Sequence, residues 1–83
     1  VLVRFGGEEF VILLPHTDIK QANILLEKIR NIVEKNRTTD NITFTISIGL
    51  SQYTQAEDIE TLLKRADEKL YIAKSSGKNK IGI

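Results

Sequence analysis

The chain has 83 residues, 41% of them hydrophobic, a formal net charge of +1 and no cysteine. This excludes a disulfide framework and a thiolate metal site, and near-neutrality excludes general polyanion binding by charge alone. The longest apolar run, Phe10–Leu14, falls far short of the ~18–20 residues a membrane-crossing helix needs. From the first residue, Val1, Val3 and Phe5 alternate with Leu2 and Arg4, the period of a strand. Gly6-Gly7 interrupts that pattern before Phe10–Leu14, and two apolar runs around a Gly-Gly turn predict a hairpin. The second run is apolar at every position, so we expect burial on both of its faces.

Pro15 closes the hairpin, and Asp18 with Gln21 forms a capping-box pattern. Ala22, Leu25, Leu26, Ile29, Ile32 and Val33 then recur at helical spacing through Lys35, with Asn36 expected as a left-handed stop. Arg37–Asn41 is polar and reads as a loop. Ile42, Phe44, Ile46, Ile48 and Leu50 alternate with Thr43, Thr45, Ser47 and Gly49, which predicts a half-buried strand over Ile42–Leu50. Asp58 is placed to cap a second helix carrying Ile59, Leu62, Leu63, Ala66, Leu70 and Ala73. Gly77 suits that helix's C-terminus, and Lys80–Ile83 is short enough for a final edge strand. The order β-β-α-β-α-β, without repeat or linker, predicts one unit with a sheet packed on helices, α+β or α/β in class.

Two features carry candidate chemistry. At Gly6-Gly7-Glu8-Glu9, the glycines permit positive φ and close approach of a ligand to the backbone, and the adjacent carboxylates suit a hard cation such as Mg²⁺. A solvated acidic turn explains the same residues. From Lys64 to Lys80 the chain has six basic residues against two acids, Asp67 and Glu68, which reads as a solvated helix face or a phosphate-facing tail. His16 has no Cys or second His to join it in binding a metal, and Ser47 and Gly49 suit close packing at a strand.

Arg4-Phe5-Gly6-Gly7-Glu8-Glu9-Phe10 followed by Val11–Pro15 resembles the hairpin of the GGDEF family of diguanylate cyclases, with Glu at the motif's third position. Thr45-Ile46-Ser47-Ile48-Gly49 is similar to a strand of that family, Ala66–Lys74 to its "ADxALYxAK" helix, and Ser76-Gly77-Lys78-Asn79 to its closing "xGRN". The resemblance spans nearly the whole chain. It implies an α+β, α/β-sandwich fold: a palm-like nucleotide-cyclase sheet with helices packed on it. Residues 1–83 would be the C-terminal half of the domain, without its first central strand.

The implied activity joins two GTP molecules into cyclic di-GMP with loss of pyrophosphate, across a homodimer that presents one nucleotide per domain, with Mg²⁺ or Mn²⁺. Glu8 matches a metal ligand that helps deprotonate the attacking hydroxyl, and Glu9 a second acid near metal and phosphates. Gly6 and Gly7 match the backbone against the triphosphate, and Lys74 and Lys78 the phosphate-binding cations. Lys78 stands where many members have Arg, keeping the charge but losing the bidentate fork. Asp67 and Tyr71 match positions of structure and packing. The family's first-half Asp metal ligand, its guanine-reading Asn and Asp, and its inhibitory Arg-x-x-Asp are not found in these residues. Loss of the central strand would leave two apolar sheet edges, so the isolated chain is expected either to self-associate through them or to re-pair them into an altered sheet. A cytoplasmic segment without nucleic-acid or membrane contact is expected, its parent anchored, if at all, by another segment. Two readings stand beside the cyclase: a non-catalytic module binding GTP or cyclic di-GMP, and a structural fragment inactive in isolation.

Overall fold

The computed structural model of the chain describes residues 2–4, 10–36, 41, 42 and 44–83. The elements are β1 (Leu2–Arg4), β2 (Phe10–Ile12), α1 (Ile19–Lys35), β3 (Ile48–Gly49), α2 (Ile59–Ser75) and β4 (Ile81–Gly82), in the expected β-β-α-β-α-β order. Among the described residues they form a mixed α+β arrangement with two small sheets, antiparallel β1–β2 and parallel β3–β4.

β1 and β2 pair Leu2 with Ile12, Val3 with Val11 and Arg4 with Phe10. This is the predicted hairpin. Burial of β2 on both faces does not occur: Val11 is half-buried, while Phe10 and Ile12 are exposed. The hairpin's strong contacts are internal, and the helices pack against β3 and β4 instead.

Asp18 caps α1 as its sequence predicts. Its carboxylate accepts from the Gln21 backbone N–H at 2.8 Å, and the Gln21 side chain accepts from the Asp18 N–H at 3.3 Å. These two bonds satisfy donors that a helix start otherwise leaves without partners. Ala22 and Leu26, one turn apart, form the buried stripe of the helix. Asn36 corrects the left-handed expectation: its backbone is extended at φ −88° and ψ 144°, and its N–H donates to the Ile32 carbonyl at 3.1 Å. The side-chain amide of Asn36 donates to the same carbonyl, so the helix end is closed without a left-handed residue.

The strand predicted over Ile42–Leu50 shrinks to Ile48–Gly49. Its only partner among the described residues is β4, two residues long, so the ladder stops where β4 stops. Ile48 N–H donates to the Lys80 carbonyl at 3.0 Å, and Leu50 N–H to the Gly82 carbonyl at 2.9 Å. Ile42 and Phe44 have the right alternation but remain exposed, and Thr43 lies outside the described residues.

β3, α2 and β4 form a β-α-β unit whose strands press directly on the helix. A Cβ on Gly49 would sit 2.0 Å from the Ala66 carbonyl oxygen, and one on Gly82 would sit 2.1 Å from that of Lys69. Ala73, on the same helix, is the most deeply buried of the three buried hydrophobic residues described. Ser51 Oγ donates to the Leu62 carbonyl at 3.0 Å, and Asp58 caps α2 by accepting from Thr61 N–H at 2.8 Å. Close packing at Gly49 is therefore found as expected. Tyr71, expected to pack, is 72% exposed.

Backbone carbonyls cannot yield as a flexible side chain does, so Gly49→Ala forces strand and helix apart. It should cost about 2 kcal/mol or more, read as a lowered denaturant midpoint. An unchanged midpoint would contradict the direct seating of β3 on α2.

Candidate functional site

The predicted site has two parts in the chain. Its first part, Gly6, Gly7, Glu8 and Glu9, lies outside the described residues. The Arg4–Phe10 pair brackets it, and an antiparallel pair holds its two Cα atoms only about 4.5–5.5 Å apart.

The second part lies at the C-terminal end of α2. Lys74 is exposed in its last turn, and Lys78 is exposed in the turn that follows. Three successive residues of that turn have positive φ: Gly77 at 114°, Lys78 at 62° and Asn79 at 50°. Lys78 N–H donates to the Ala73 carbonyl at 3.0 Å, so the turn folds back on the helix it ends.

The basic run divides by role. Lys80 Nζ donates to the Ser76 carbonyl at the helix C-terminus, where a cation meets the negative end of the helix dipole. Arg65 pairs with Glu57 and also donates to the Gln52 carbonyl, fixing the loop before α2. These two cations are engaged inside the fold; the side chains of Lys74 and Lys78 are exposed at its C-terminal end.

A cluster not foreseen as such joins α1 to this turn. Arg30, whose side chain is 13% exposed, forms ion pairs with Glu27 and Glu34. Its Nη1 also donates to Asn79 Oδ1 at 2.8 Å, while Asn79 Nδ2 donates to Glu34 Oε2 at 2.9 Å. Asn79 N–H donates to Ser47 Oγ at 3.0 Å, tying the turn to the approach of β3. The spacing of Glu27, Arg30 and Glu34 on one helix is visible in sequence. The partner Asn79, 49 residues beyond Arg30, is not.

A groove of about 420 Å³ opens between the β2–α1 loop and the β3–α2 loop, lined among others by Leu14, His16, Tyr53 and Leu62. Leu62 and Lys74 are 12 residues apart on one helix, about 18 Å along its axis, so the groove is distant from the basic turn. Among the described residues no three His, Asp or Glu side chains gather as a metal site. Glu8 and Glu9 lie outside that set. Their paired carboxylates are the hard oxygen donors that Mg²⁺ or Mn²⁺ takes.

Residues 1–80 match the family described as "Diguanylate cyclase, GGDEF domain". The chain belongs to the GGDEF family. It is 43% identical over 81 residues to Diguanylate cyclase DgcM of Escherichia coli K12, covering 98% of this chain and 20% of that protein. It is 38% identical over 82 residues to Diguanylate cyclase A of Treponema denticola, covering 94% of the chain and 22% of that protein. It is also 43% identical over 84 residues to Response regulator PleD of Caulobacter vibrioides, covering 94% of the chain and 18% of that protein. The chain thus spans about a fifth of the length of these curated relatives. Among the described residues of this GGDEF chain, no helix is long and apolar enough to cross a membrane.

The charge network of the GGDEF chain makes its stability pH-dependent. Hydrogen bonding by Arg30 holds the Glu27 carboxyl below the usual range, and hydrogen bonds from Asn79 and then Arg30 do the same for Glu34. Bonding to Arg65 lowers Glu57, and bonding to Thr61 lowers Asp58. A carboxylate depressed by folding contributes stability above its unfolded value and loses it as pH falls through its folded value. Stability should therefore drop on acidification below about pH 4.3, and Arg30→Met should flatten that acid limb. An acid limb identical in native and variant chains, followed by circular dichroism, would contradict this coupling.

Proposed function

We propose that this chain works as part of a diguanylate cyclase that condenses two GTP molecules to cyclic di-GMP and two pyrophosphates. The observation that carries the reading is the match over residues 1–80, which includes an intact Gly6-Gly7-Glu8-Glu9-Phe10 and the Lys74 and Lys78 positions. Residues 1–83 are read as the C-terminal half of the domain, within the palm-like sheet of the nucleotide cyclases. On this reading Gly6 and Gly7 let the triphosphate lie against the backbone. Lys74 and Lys78 balance the charge on its phosphates, and charge placed where the phosphoryl oxygens gain electron density favours the transition state.

Glu8 and Glu9 would hold Mg²⁺ or Mn²⁺, which when bound supplies Lewis-acid stabilisation of phosphate charge. Glu8 also takes part in removing the proton of the 3′-hydroxyl. That oxygen bonds to the α-phosphorus of the partner's GTP, and the bond to pyrophosphate breaks. Two such steps across a homodimer close the ring. A substrate of this kind places the reaction in the cytoplasm.

The test is a DgcM chimera in which the matching 81-residue segment is replaced by this chain. With GTP and Mg²⁺ it should form cyclic di-GMP, and Glu8→Gln should lower its kcat more than about a hundredfold. A well-folded chimera that binds GTP without turnover would favour the non-catalytic module instead. Glu8→Gln at full activity would overturn the role of Glu8.

Self-association is proposed for the 83-residue chain alone. Among the described residues each sheet has two strands, and the apolar side chains of Phe10 and Ile12 on β2 are exposed. Light scattering should give a mass that rises with concentration, and a monomer over the whole micromolar range would refute it.

A further inference from the structure

The turn after α2 adopts a conformation that its own residues do not favour. Glycine takes positive φ readily, but Lys78 at 62° and Asn79 at 50° are consecutive side-chain-bearing residues in the left-handed region. Such a backbone persists when its surroundings hold it. Here the hold comes from two sides. Lys78 N–H is bonded to the Ala73 carbonyl of α2, while Asn79 is bonded to Arg30 and Glu34 of α1 and to Ser47. Lys78 thus sits between two tethers with its side chain exposed.

Arg30 is not arranged to meet a ligand itself. Its Nε and Nη2 donate to Glu27, and its Nη1 donates to Glu34 and Asn79. The guanidinium is mostly covered and its fork is occupied. Its remaining route to function is through Asn79. We propose that Arg30 and Asn79 are positioning residues for Lys78: they lock the Gly77–Asn79 turn so that the Lys78 ammonium is presented to a triphosphate without an ordering cost at binding. The inference rests on the phosphate-binding role proposed above for Lys78. Preorganisation of this kind raises affinity because the immobilisation is already met in the free protein.

The test titrates the DgcM chimera carrying this chain with inorganic triphosphate at low ionic strength, followed by NMR with ¹⁵N labels at residues 74–79. Two variants break the lock without changing net charge. Asn79→Gly removes the side-chain bonds while still accepting positive φ, and Arg30→Lys replaces the planar fork by a point charge that cannot span the same partners. Each should weaken triphosphate binding about three- to tenfold with helix content retained. In a Lys78→Ala background, Asn79→Gly should have no further effect, because the lock acts through Lys78.

Affinity within twofold of native, with the amide shifts of residues 77–79 altered, would overturn the positioning role while leaving phosphate binding intact. An equal further loss in the Lys78→Ala background would overturn it too, by showing a general structural effect. Absence of any triphosphate response at Lys74 and Lys78 in the unmutated chimera would refute the phosphate reading, and this inference with it.

Discussion

The direct contact of two glycines with the backbone of α2 governs the described fold. Gly49 faces the Ala66 carbonyl and the start of Leu70, and Gly82 faces the Lys69 carbonyl. Neither approach leaves room for a side chain. The two strands that carry these glycines are only two residues long, and pairing of such short strands is weak by itself. The helix supplies what the ladder lacks, and Ala73 on the same helix is nearly inaccessible to solvent. The last turn and Lys78 are placed by this unit, because β4 follows the turn at once.

The second constraint is polar. α1 meets the rest of the chain in part through β4 and through Arg30, whose partners span α1 and the turn before β4. Arg30 is largely covered, and its ion pairs are joined to an amide rather than standing alone on the surface. Isolated surface pairs contribute little, whereas a covered, multiply bonded guanidinium also fixes geometry. The hydrophobic core cannot do this: its buried members among the described residues are Ala22, Leu26 and Ala73. Apolar side chains such as Phe10, Ile12, Ile42 and Phe44 remain at the surface.

What could be read from the sequence was local. The capping box at Asp18, the cap at Asp58, the helical periods, the hairpin and the glycine closing α2 depend on neighbours within a few residues, and all are found. What could not be read was set by partners far along the chain. The alternation of Ile42–Leu50 was unmistakable, yet among the described residues it is a strand at Ile48–Gly49, paired with β4. The extended end at Asn36 follows from bonds to Ile32 rather than from the residue's tolerance of positive φ. The proposed site rests on motif chemistry, in Gly6-Gly7-Glu8-Glu9, Lys74 and Lys78. The lock on Asn79 was not legible, since an asparagine beside a glycine signals a turn and says nothing of an arginine on another helix.

The family assignment and the geometry of the last turn lead to one physical picture. On the proposed function, Gly6-Gly7 with Glu8 and Glu9 would form one wall of a triphosphate site, and Lys74 at the end of α2 with Lys78 on the held turn the other. The most direct test is a crystal structure of the DgcM chimera carrying this chain, with Mg²⁺ and a non-hydrolysable GTP analogue. The account predicts phosphates lying between the Gly6-Gly7 backbone and the ammonium groups of Lys74 and Lys78, with the metal on Glu8. Phosphates bound elsewhere, with both lysines directed to solvent, would contradict it.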